Sequence, residues 1–270
     1  MTILIDILKD QKRTHGSLRA EALSAAWEHL TAQEILQKAI HEEFIGDITL
    51  SSSFGADSAV LLHMVAQIAP NLPVIFLDTD RHFFQTIQYR DELVAKLGLT
   101  NLVNLKAHAD EAGTEDSKNT LWRTNPDACC DLRKVRPLNR FMEGYGAWIS
   151  GRKRHQSATR TRLPIVEFDG KHFKVNPLAA WTADDIAVYF KNHDLPPHPL
   201  VTWTAEDIEA YFRNHDLPRH PLVEQGFPSI GCFTCTKPVA AGEDARSGRW
   251  ADSEKVECGI HNPIYGGDGI

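Results

Sequence analysis

Apolar positions along the chain alternate between short continuous runs and stretches with helical spacing. Leucine, isoleucine and alanine side chains recur every three to four residues over 18–42, which predicts a helix. Short apolar runs predict strands at 46–50, 74–77, 101–105 and 147–150, with two further strands at 163–167 and 171–174. Intervening helices are predicted at 59–68, 83–97 and 128–143. This alternation predicts an α/β fold with a mostly parallel twisted sheet flanked by helices.

A segment of 22 residues is repeated in tandem in the C-terminal half. WTADDIAVYFKNHDLPPHPLV at 181–201 and WTAEDIEAYFRNHDLPRHPLV at 203–223 are identical at 16 of 21 positions. Each copy begins with a Thr-x-x-Asp capping pattern and ends in a proline-rich turn. Two copies are too few for a repeat stack, so we expect one copy to pack on the sheet and the other to be a tolerated insertion. The sequence does not decide which copy packs.

The net charge of the chain argues against some classes of binding partner. The 270 residues include 29 Lys and Arg against 36 Asp and Glu, a formal charge of −7. This acidic balance argues against a nucleic-acid or membrane-surface binder, so an anionic ligand needs a local cluster of basic side chains. The N-terminal segment has no uninterrupted apolar core, and no stretch is long enough to span a membrane. We therefore expect a cytoplasmic protein.

The loop SSSFGADS at 51–58 follows a predicted strand and precedes a predicted helix. Backbone N–H groups at such a helix start, together with serine hydroxyls, can cradle an anion. The loop is not a Walker A motif, because it lacks Gly-Lys-Ser/Thr. The alternative interpretation is an ordinary turn in which Ser58 caps the helix. The LDTD sequence at 77–80 ends the next strand and should lie beside the loop, which favours a ligand site there.

Five cysteines in a reducing compartment are more often ligands or reactive thiols than disulfides. Cys129 and Cys130 are adjacent, and Cys232 and Cys235 form a C-x-x-C pair about a hundred residues later. Zinc and iron–sulfur sites both use four cysteines, but adjacent ligands are unusual for structural zinc. The spacing therefore favours a 4Fe–4S cluster. The alternative is a buried Cys-Cys pair of small hydrophobic residues and a separate redox dithiol.

The fifth cysteine, Cys258, lies apart from the others in a polar, glycine-rich segment. It is either a spare surface thiol or a reactive thiolate activated by nearby positive charge. Basic side chains are concentrated close to these motifs, and in an acidic protein they can gather an anionic ligand or form solvated faces. They are Arg133, Lys134, Arg152, Lys153, Arg154, Arg160, Arg162, Arg246 and Arg249.

Taken together, the motifs resemble those of the assimilatory adenylylsulfate (APS) reductases, in the phosphoadenylylsulfate (PAPS) reductase family. The resemblance covers nearly the whole chain after about residue 45. It rests on SSSFGADSAVL at 51–61, LDTD at 77–80, CCDLRKVRPL at 129–138, GRKRHQSATR at 151–160, HPLVEQGFPSIGCFTCT at 220–236, EDARSGRW at 243–250 and KVECGIH at 255–261.

The resemblance implies a fold and a domain organisation. The fold would be that of adenine-nucleotide alpha-hydrolases, with an ATP pyrophosphatase-type loop at 51–58 and a flexible C-terminal tail. Residues 1–240 would form a nucleotide-binding α/β reductase domain that contains the repeats 181–202 and 203–224. Residues 241–270 would form a mobile tail that carries the catalytic thiol.

The resemblance also implies an activity: thioredoxin-dependent reduction of adenylyl sulfate to sulfite and AMP, through an S-sulfocysteine on Cys258. A glutaredoxin-like protein is an alternative electron donor, and the resemblance leaves a homo-oligomer open. The remaining residues carried over from the family are substrate contacts and ligands of one 4Fe–4S cluster. The substrate contacts are Ser52, Ser53, Lys134, Arg160, Arg246 and Arg249, and the cluster ligands are Cys129, Cys130, Cys232 and Cys235.

The sequence departs from the family pattern in two places. Asp80 stands where the family usually has glycine, and its carboxylate would either alter nucleotide contacts or face solvent. The family also has one copy of the segment that is duplicated here. Alternative functions are a reductase that also accepts PAPS, an ATP pyrophosphatase-type sulfur transferase, and a non-catalytic metal-binding module. The presence of both cysteine pairs favours adenylyl sulfate.

Overall fold

The computed structural model describes most of the N-terminal two thirds of the chain and shorter stretches of the rest. The described residues are 2–55, 58–154, 160–179, 213, 220–223, 225–227, 229–240, 243–244, 246–251 and 260, with the side chains of 2–12 left out. The catalytic candidate Cys258, the first repeat copy and most of the second lie outside them. The expected mobile tail at 241–270 is only partly within them.

Eight α-helices are present in the described residues. They are α1 (Thr2–Trp27), α2 (Ala32–Lys38), α3 (Ser58–Ile68), α4 (Phe84–Leu97), α5 (Ala109–Glu115), α6 (Leu121–Thr124), α7 (Pro126–Cys130) and α8 (Arg136–Met142). Short π-helical segments continue α2 over Ala39–Glu43 and join α7 to α8 over Asp131–Val135.

Six strands form one sheet in the order β3-β2-β1-β4-β6-β5. The strands are β1 (Ile48–Ser51), β2 (Val74–Leu77), β3 (Leu102–Leu105), β4 (Ala147–Ile149), β5 (Val166–Phe168) and β6 (Phe173–Val175). All neighbouring pairs are parallel except β5 and β6, which pair antiparallel at one edge. The predicted mostly parallel sheet flanked by helices is confirmed.

The predicted helix over 18–42 is wrong in its bounds, because the chain forms two helices there. Thr31 begins α2 with a reciprocal cap: its hydroxyl accepts the Glu34 N–H, and the Glu34 carboxylate accepts the Thr31 N–H at 2.8 Å. This capping box satisfies N–H groups that a continuous helix would bond internally, so it breaks the helix after α1. The apolar spacing continues across the break, which explains the single predicted helix.

The predicted helix over 128–143 is confirmed as a continuous helical stretch from Pro126 to Met142 that contains the π-helical segment. Asn125 begins it by accepting the Ala128 N–H through its side chain at 3.1 Å. The helix α4 ends as predicted at Gly98, whose left-handed backbone (φ 65°) terminates the helix. The helices α5 and α6 carry little apolar periodicity and were not predicted.

The described end of the second repeat copy packs against α4. His220 and Leu222 are buried, and the His220 Nε2 atom lies 3.0 Å from the Thr86 hydroxyl. The Leu222 N–H donates to His220 Nδ1, and the imidazole lies 5.0 Å from the Tyr89 ring. Burial lowers the pKa of His220 to about 4, so the ring is neutral. The second copy therefore supplies this contact.

Buried apolar side chains from the described helices and strands pack on both faces of the sheet. Leu50, Val74 and Ile149 are fully buried. Within the described part of the chain, no helix combines the length and the apolar character needed to cross a bilayer.

Candidate active site

A cavity of about 240 Å³ opens where β1 and β4 end. These two strands are neighbours, and the chain leaves β1 toward β2 on one side and reaches β4 on the other. Such a reversal of strand order creates a crevice at the carboxyl ends, where open parallel sheets bind ligands. Residues 50–53 and 150–153 line it from the ends of β1 and β4, and residues 229–232, 246, 249 and 250 line it from the C-terminal part of the chain.

The serine loop after β1 lines the cavity as predicted. The Ser52 hydroxyl accepts the Phe54 N–H at 3.1 Å, and the Ser53 hydroxyl accepts the Gly55 N–H at 3.4 Å. Phe54 within this loop has a left-handed backbone (φ 49°), and its ring is fully buried against Phe76. Each hydroxyl keeps its own proton for a ligand, because it acts as an acceptor in the turn.

The four predicted basic contacts all line this cavity. Lys134 lies on the π-helical segment between α7 and α8, and Arg160 is buried beside the sheet. Arg246 and Arg249 come from the C-terminal side and lie over the Trp250 ring, at 5.8 and 4.6 Å from its centroid. The structure thus brings cations from three distant parts of the sequence to one cavity, which suits an anionic ligand.

Other lining residues were not predicted as substrate contacts. They include His82 and Trp148, besides Arg152 and Lys153, which were recognised only as part of a basic stretch. His82 Nε2 donates to the Leu77 carbonyl at 2.8 Å, and burial lowers the pKa of this imidazole. Its position two residues after LDTD, which ends a predicted strand, was the available signal.

The C-x-x-C turn is attached to the loop that follows β2. Cys232 pairs with His82 in an isolated antiparallel bridge, and the Phe233 N–H donates to the Arg81 carbonyl at 2.8 Å. The Cys232 Sγ atom lies 3.2 Å from the Thr79 hydroxyl. The LDTD loop and the second cysteine pair are therefore packed together, although they are about 150 residues apart in sequence.

None of the four predicted ligand cysteines forms a disulfide. Cys129 and Cys130 are buried at the end of α7. Burial raises the pKa of the Cys129 thiol, and repulsion from Cys232 and Cys235 adds to the increase, whereas Arg133 and Arg81 oppose it. The two pairs thus lie within electrostatic reach of each other. Among the described residues, no three His, Cys, Asp or Glu side chains are arranged closely enough to enclose a metal ion.

A buried network of ion pairs connects the segments that carry these cysteines. The Asp116 carboxylate accepts from Arg133 at 2.9 Å and from Arg81 at 3.3 Å, and all three side chains are at most 7% exposed. Burial opposes ionisation of Asp116, but the Leu121 N–H and the two arginines hold the pKa of its carboxyl below the ordinary value. This network was not predicted, because nothing in the sequence pairs residues from three separate segments.

Asp80, the departure from the family pattern, is exposed to solvent. It has a left-handed backbone (φ 58°), a conformation that glycine adopts without strain. Its half-exposed carboxylate accepts a hydrogen bond from Lys106 at 2.5 Å and lies 3.7 Å from Arg133, and this bond raises the pKa of Lys106. Asp80 does not line the cavity.

Cys258 lies outside the described residues, but Ile260, two positions later, is described. Ile260 lines the cavity and packs against an apolar cluster that includes Leu77 and Trp148. The C-terminal segment therefore reaches the cavity wall.

A sequence profile described as the phosphoadenosine phosphosulfate reductase domain matches residues 47–202 and again 197–238. The second match restarts near the end of the first repeat copy, so the profile aligns with both copies.

Relatives with assigned names match over almost the whole chain. The adenosine 5'-phosphosulfate reductase of Chelativorans sp. (strain BNC1) is 45% identical over 93% of this chain and 94% of its own. The enzyme of the same name from Mesorhizobium japonicum is 47% identical over 90% and 87%. A phosphoadenosine 5'-phosphosulfate reductase from Gloeobacter violaceus is 38% identical over 89% and 92%.

The crystal structure of phosphoadenylyl-sulfate reductase from Candida auris, a phosphate complex, shares the fold. It superposes with a TM-score of 0.60 at 24% identity, over 82% of this chain and 96% of that one. The α/β fold expected from the sequence is thereby confirmed, and with the profile match and these relatives the chain belongs to the phosphoadenosine phosphosulfate reductase family.

Proposed function

We propose that the chain reduces adenylyl sulfate to sulfite and AMP, with Cys258 as nucleophile and thioredoxin as electron donor. The observation that carries the proposal is the convergence of Lys134, Arg160, Arg246 and Arg249 on one cavity at the ends of β1 and β4. Relatives named adenosine 5'-phosphosulfate reductase, which align over about nine tenths of the chain, support the choice of nucleotide.

In the first step the Cys258 thiolate attacks the sulfonyl sulfur of the substrate. The bond between that sulfur and the bridging phosphate oxygen breaks, so AMP leaves and the sulfonate remains on the cysteine sulfur. Negative charge develops on the phosphate oxygens as this bond breaks. The four basic side chains stabilise that charge, and the planar guanidinium groups can each hold two oxygens.

The second step is thiol–disulfide chemistry. A thioredoxin thiolate attacks the Cys258 sulfur and expels sulfite, which carries away the electron pair of the sulfur–sulfur bond. The second thioredoxin cysteine then resolves the mixed disulfide and releases the Cys258 thiol. The thioredoxin dithiol is thereby oxidised by two electrons, and the substrate sulfur is reduced by two.

This sequence requires the tail to lie over the nucleotide in one step and to be reachable by a second protein in the next. The position of Ile260 in the cavity wall supports the closed arrangement. Its side chain is only partly buried, so few apolar contacts have to be broken for the tail to leave.

The second element of the proposal is a 4Fe–4S cluster held by Cys129, Cys130, Cys232 and Cys235. Four free thiols form a donor set that suits it, and Cys129 lies within electrostatic reach of the other pair. When bound, the cluster would cross-link the two cysteine pairs and add local charge. Lys134 follows Cys130 by four residues on one continuous helical stretch, so fixing the pair also fixes the lysine at the cavity.

Replacement of Cys258 tests the nucleophile. We expect Cys258→Ser to abolish sulfite release while AMP binding and iron content are kept, and Ser253→Ala in the same segment to behave as wild type. Mixing wild type with adenylyl sulfate but no reductant should add about 80 Da to the peptide that contains Cys258, the mass of a sulfonate.

Sulfite release by Cys258→Ser, or the absence of the adduct, would contradict the mechanism. ATP turnover that survives the substitution would instead support a sulfur transferase with a pyrophosphatase-type loop. The same assay with phosphoadenylyl sulfate measures whether the second nucleotide is also a substrate, which the relative from Gloeobacter violaceus makes worth testing.

A further inference from the structure

The buried carboxylate of Asp116 joins three segments of the chain. Its side chain is 1% exposed, and its Oδ2 atom accepts from Arg133 on the helical stretch after Cys130 and from Arg81 in the loop after β2. Its Oδ1 atom accepts the Leu121 N–H at 2.9 Å, at the start of α6, which leads directly into α7. One carboxylate therefore connects the segment that carries Cys129 with the loop that contacts Cys232.

Each arginine links Asp116 to one of the cysteine pairs. Arg81 accepts the Phe233 N–H through its backbone carbonyl, and this bond holds the Cys232–Cys235 turn. Arg133 lies three residues after Cys130 and donates to the Thr79 carbonyl at 3.3 Å. The Thr79 hydroxyl in turn contacts Cys232. A path of hydrogen bonds and ion pairs thus runs from one pair to the other through Asp116.

The charges of the network also matter. Two guanidinium groups and one carboxylate are buried together, with the half-exposed Asp80 at the edge. Without Asp116, two buried cations would face each other with little compensation, and the energetic cost of such an unpaired charge is high. The same carboxylate limits the excess of positive charge beside the four thiols.

We propose that Asp116 is a positioning residue that holds the segment carrying Cys129 and Cys130 against the Cys232–Cys235 turn, so that both pairs can contribute to the proposed four-thiolate cluster. It acts through Arg81 on the Cys232–Cys235 turn and through Arg133 on the stretch that carries Cys129, Cys130 and Lys134. This inference rests on the cluster part of the proposed function. It is independent of the chemistry at Cys258.

The test compares Asp116→Asn with Glu115→Gln in the full-length protein purified without oxygen. Asparagine keeps the size of the side chain and an acceptor for Leu121, but it removes the charge. Glu115 is the neighbouring residue and also pairs with an arginine, Arg136 at 2.6 Å, but this pair is exposed. Iron and sulfide per chain and the rate of iron loss to a chelator are measured for both variants.

We expect wild type and Glu115→Gln to retain about four iron atoms per chain. Asp116→Asn should lose iron to the chelator roughly ten- to hundredfold faster, the range typical for residues that orient metal ligands. The reduction potential of the cluster that remains should rise, because a negative charge near it has been removed. A purely structural role would not move the potential in this direction.

Iron retention and a potential equal to wild type in Asp116→Asn would overturn the inference. Faster iron loss without a potential change would also overturn it, since that indicates general loosening. Should Asp116→Asn fail to fold, Asp116→Glu is measured instead, because it keeps the negative charge on a longer side chain. Wild-type iron retention in Asp116→Glu would refute the positioning role. An iron-free wild type would refute the cluster and this inference together, whereas active Cys258→Ser would refute only the mechanism.

Discussion

The two walls of the cavity are held in place in different ways. The sheet wall, residues 50–53 and 150–153, continues from β1 and β4, which pair in parallel and are buried on both faces. The C-terminal wall, residues 229–232, 246, 249 and 250, is joined to the rest through isolated β-bridges, separate backbone bonds and the buried side chains of Ile230 and Trp250. Examples of the backbone bonds are Phe233 N–H to Arg81, Lys237 N–H to Gly248 and Trp250 N–H to Cys235, at 2.8 to 2.9 Å.

The two walls therefore make different contributions, the sheet wall mainly to stability and the C-terminal wall mainly to function. Burial of the sheet strands contributes most of the folding free energy in such a core, so the sheet wall is rigid. The C-terminal wall contributes Arg246 and Arg249 and leads to the segment with Cys258. The segment beyond this wall, in which Ile260 is only partly buried, can leave the cavity at low cost, which suits a segment that must expose a covalent intermediate to a second protein.

The largest expected effect is on the sheet. Ile149 in β4 is fully buried and does not line the cavity. We expect Ile149→Ala to lower the free energy of unfolding by about 2–5 kcal/mol, because it leaves a void between packed layers. The turnover of the folded fraction should stay near wild type. Urea unfolding followed by circular dichroism measures the first quantity, and a sulfite assay at low temperature measures the second.

The exposed Ile45→Ala, outside the core, provides the control, with an expected change within about 0.5 kcal/mol. A loss of turnover in Ile149→Ala that exceeds its loss of folded protein would show that the sheet wall does not act as a rigid support alone.

The second effect concerns the C-terminal wall. A Cβ atom at Gly231 would overlap the Arg249 guanidinium. We expect Gly231→Ala to lower kcat/KM by about a hundredfold, because it displaces a cation that must lie on the phosphate oxygens. The free energy of unfolding should change little. Gly113→Ala is the matched control, since a Cβ there meets no neighbour within 4 Å. If Gly231→Ala has the same kcat/KM as wild type, the assignment of Arg249 as a substrate contact is wrong.

The sequence predicted the sheet wall better than the polar parts of the site. Strands such as Val74–Leu77 are short and uniformly apolar, so their pattern can be recognised locally. The resemblance to a family predicted Lys134 and Arg249 at one cavity. Neither approach predicted Asp116, because its ion pairs join residues brought together only by tertiary folding. The helix break at Thr31 was missed because apolar spacing continues across a cap.

The smallest expected effect tests how the C-terminal wall depends on the chain that leads into it. We predict that deletion of 181–202 changes the melting temperature by no more than about 2 °C and kcat/KM by no more than about twofold. The second copy keeps His220 and Leu222 against α4, and shortening a long connection alters its closure entropy only slightly. Calorimetry and the sulfite assay measure both quantities.

Deletion of 203–224 is the mirror variant, and it leaves a first copy whose His-Pro-Leu-Val ending is identical. If that ending can take the place of the second, this variant should also fold and react. His220→Ala in the chain without 181–202 removes the histidine altogether and should lower stability, because Thr86 and the Leu222 N–H lose their buried partner. A large loss of activity on deletion of 181–202 alone would instead show that the first copy supports the C-terminal wall, and that the duplication is not a tolerated insertion.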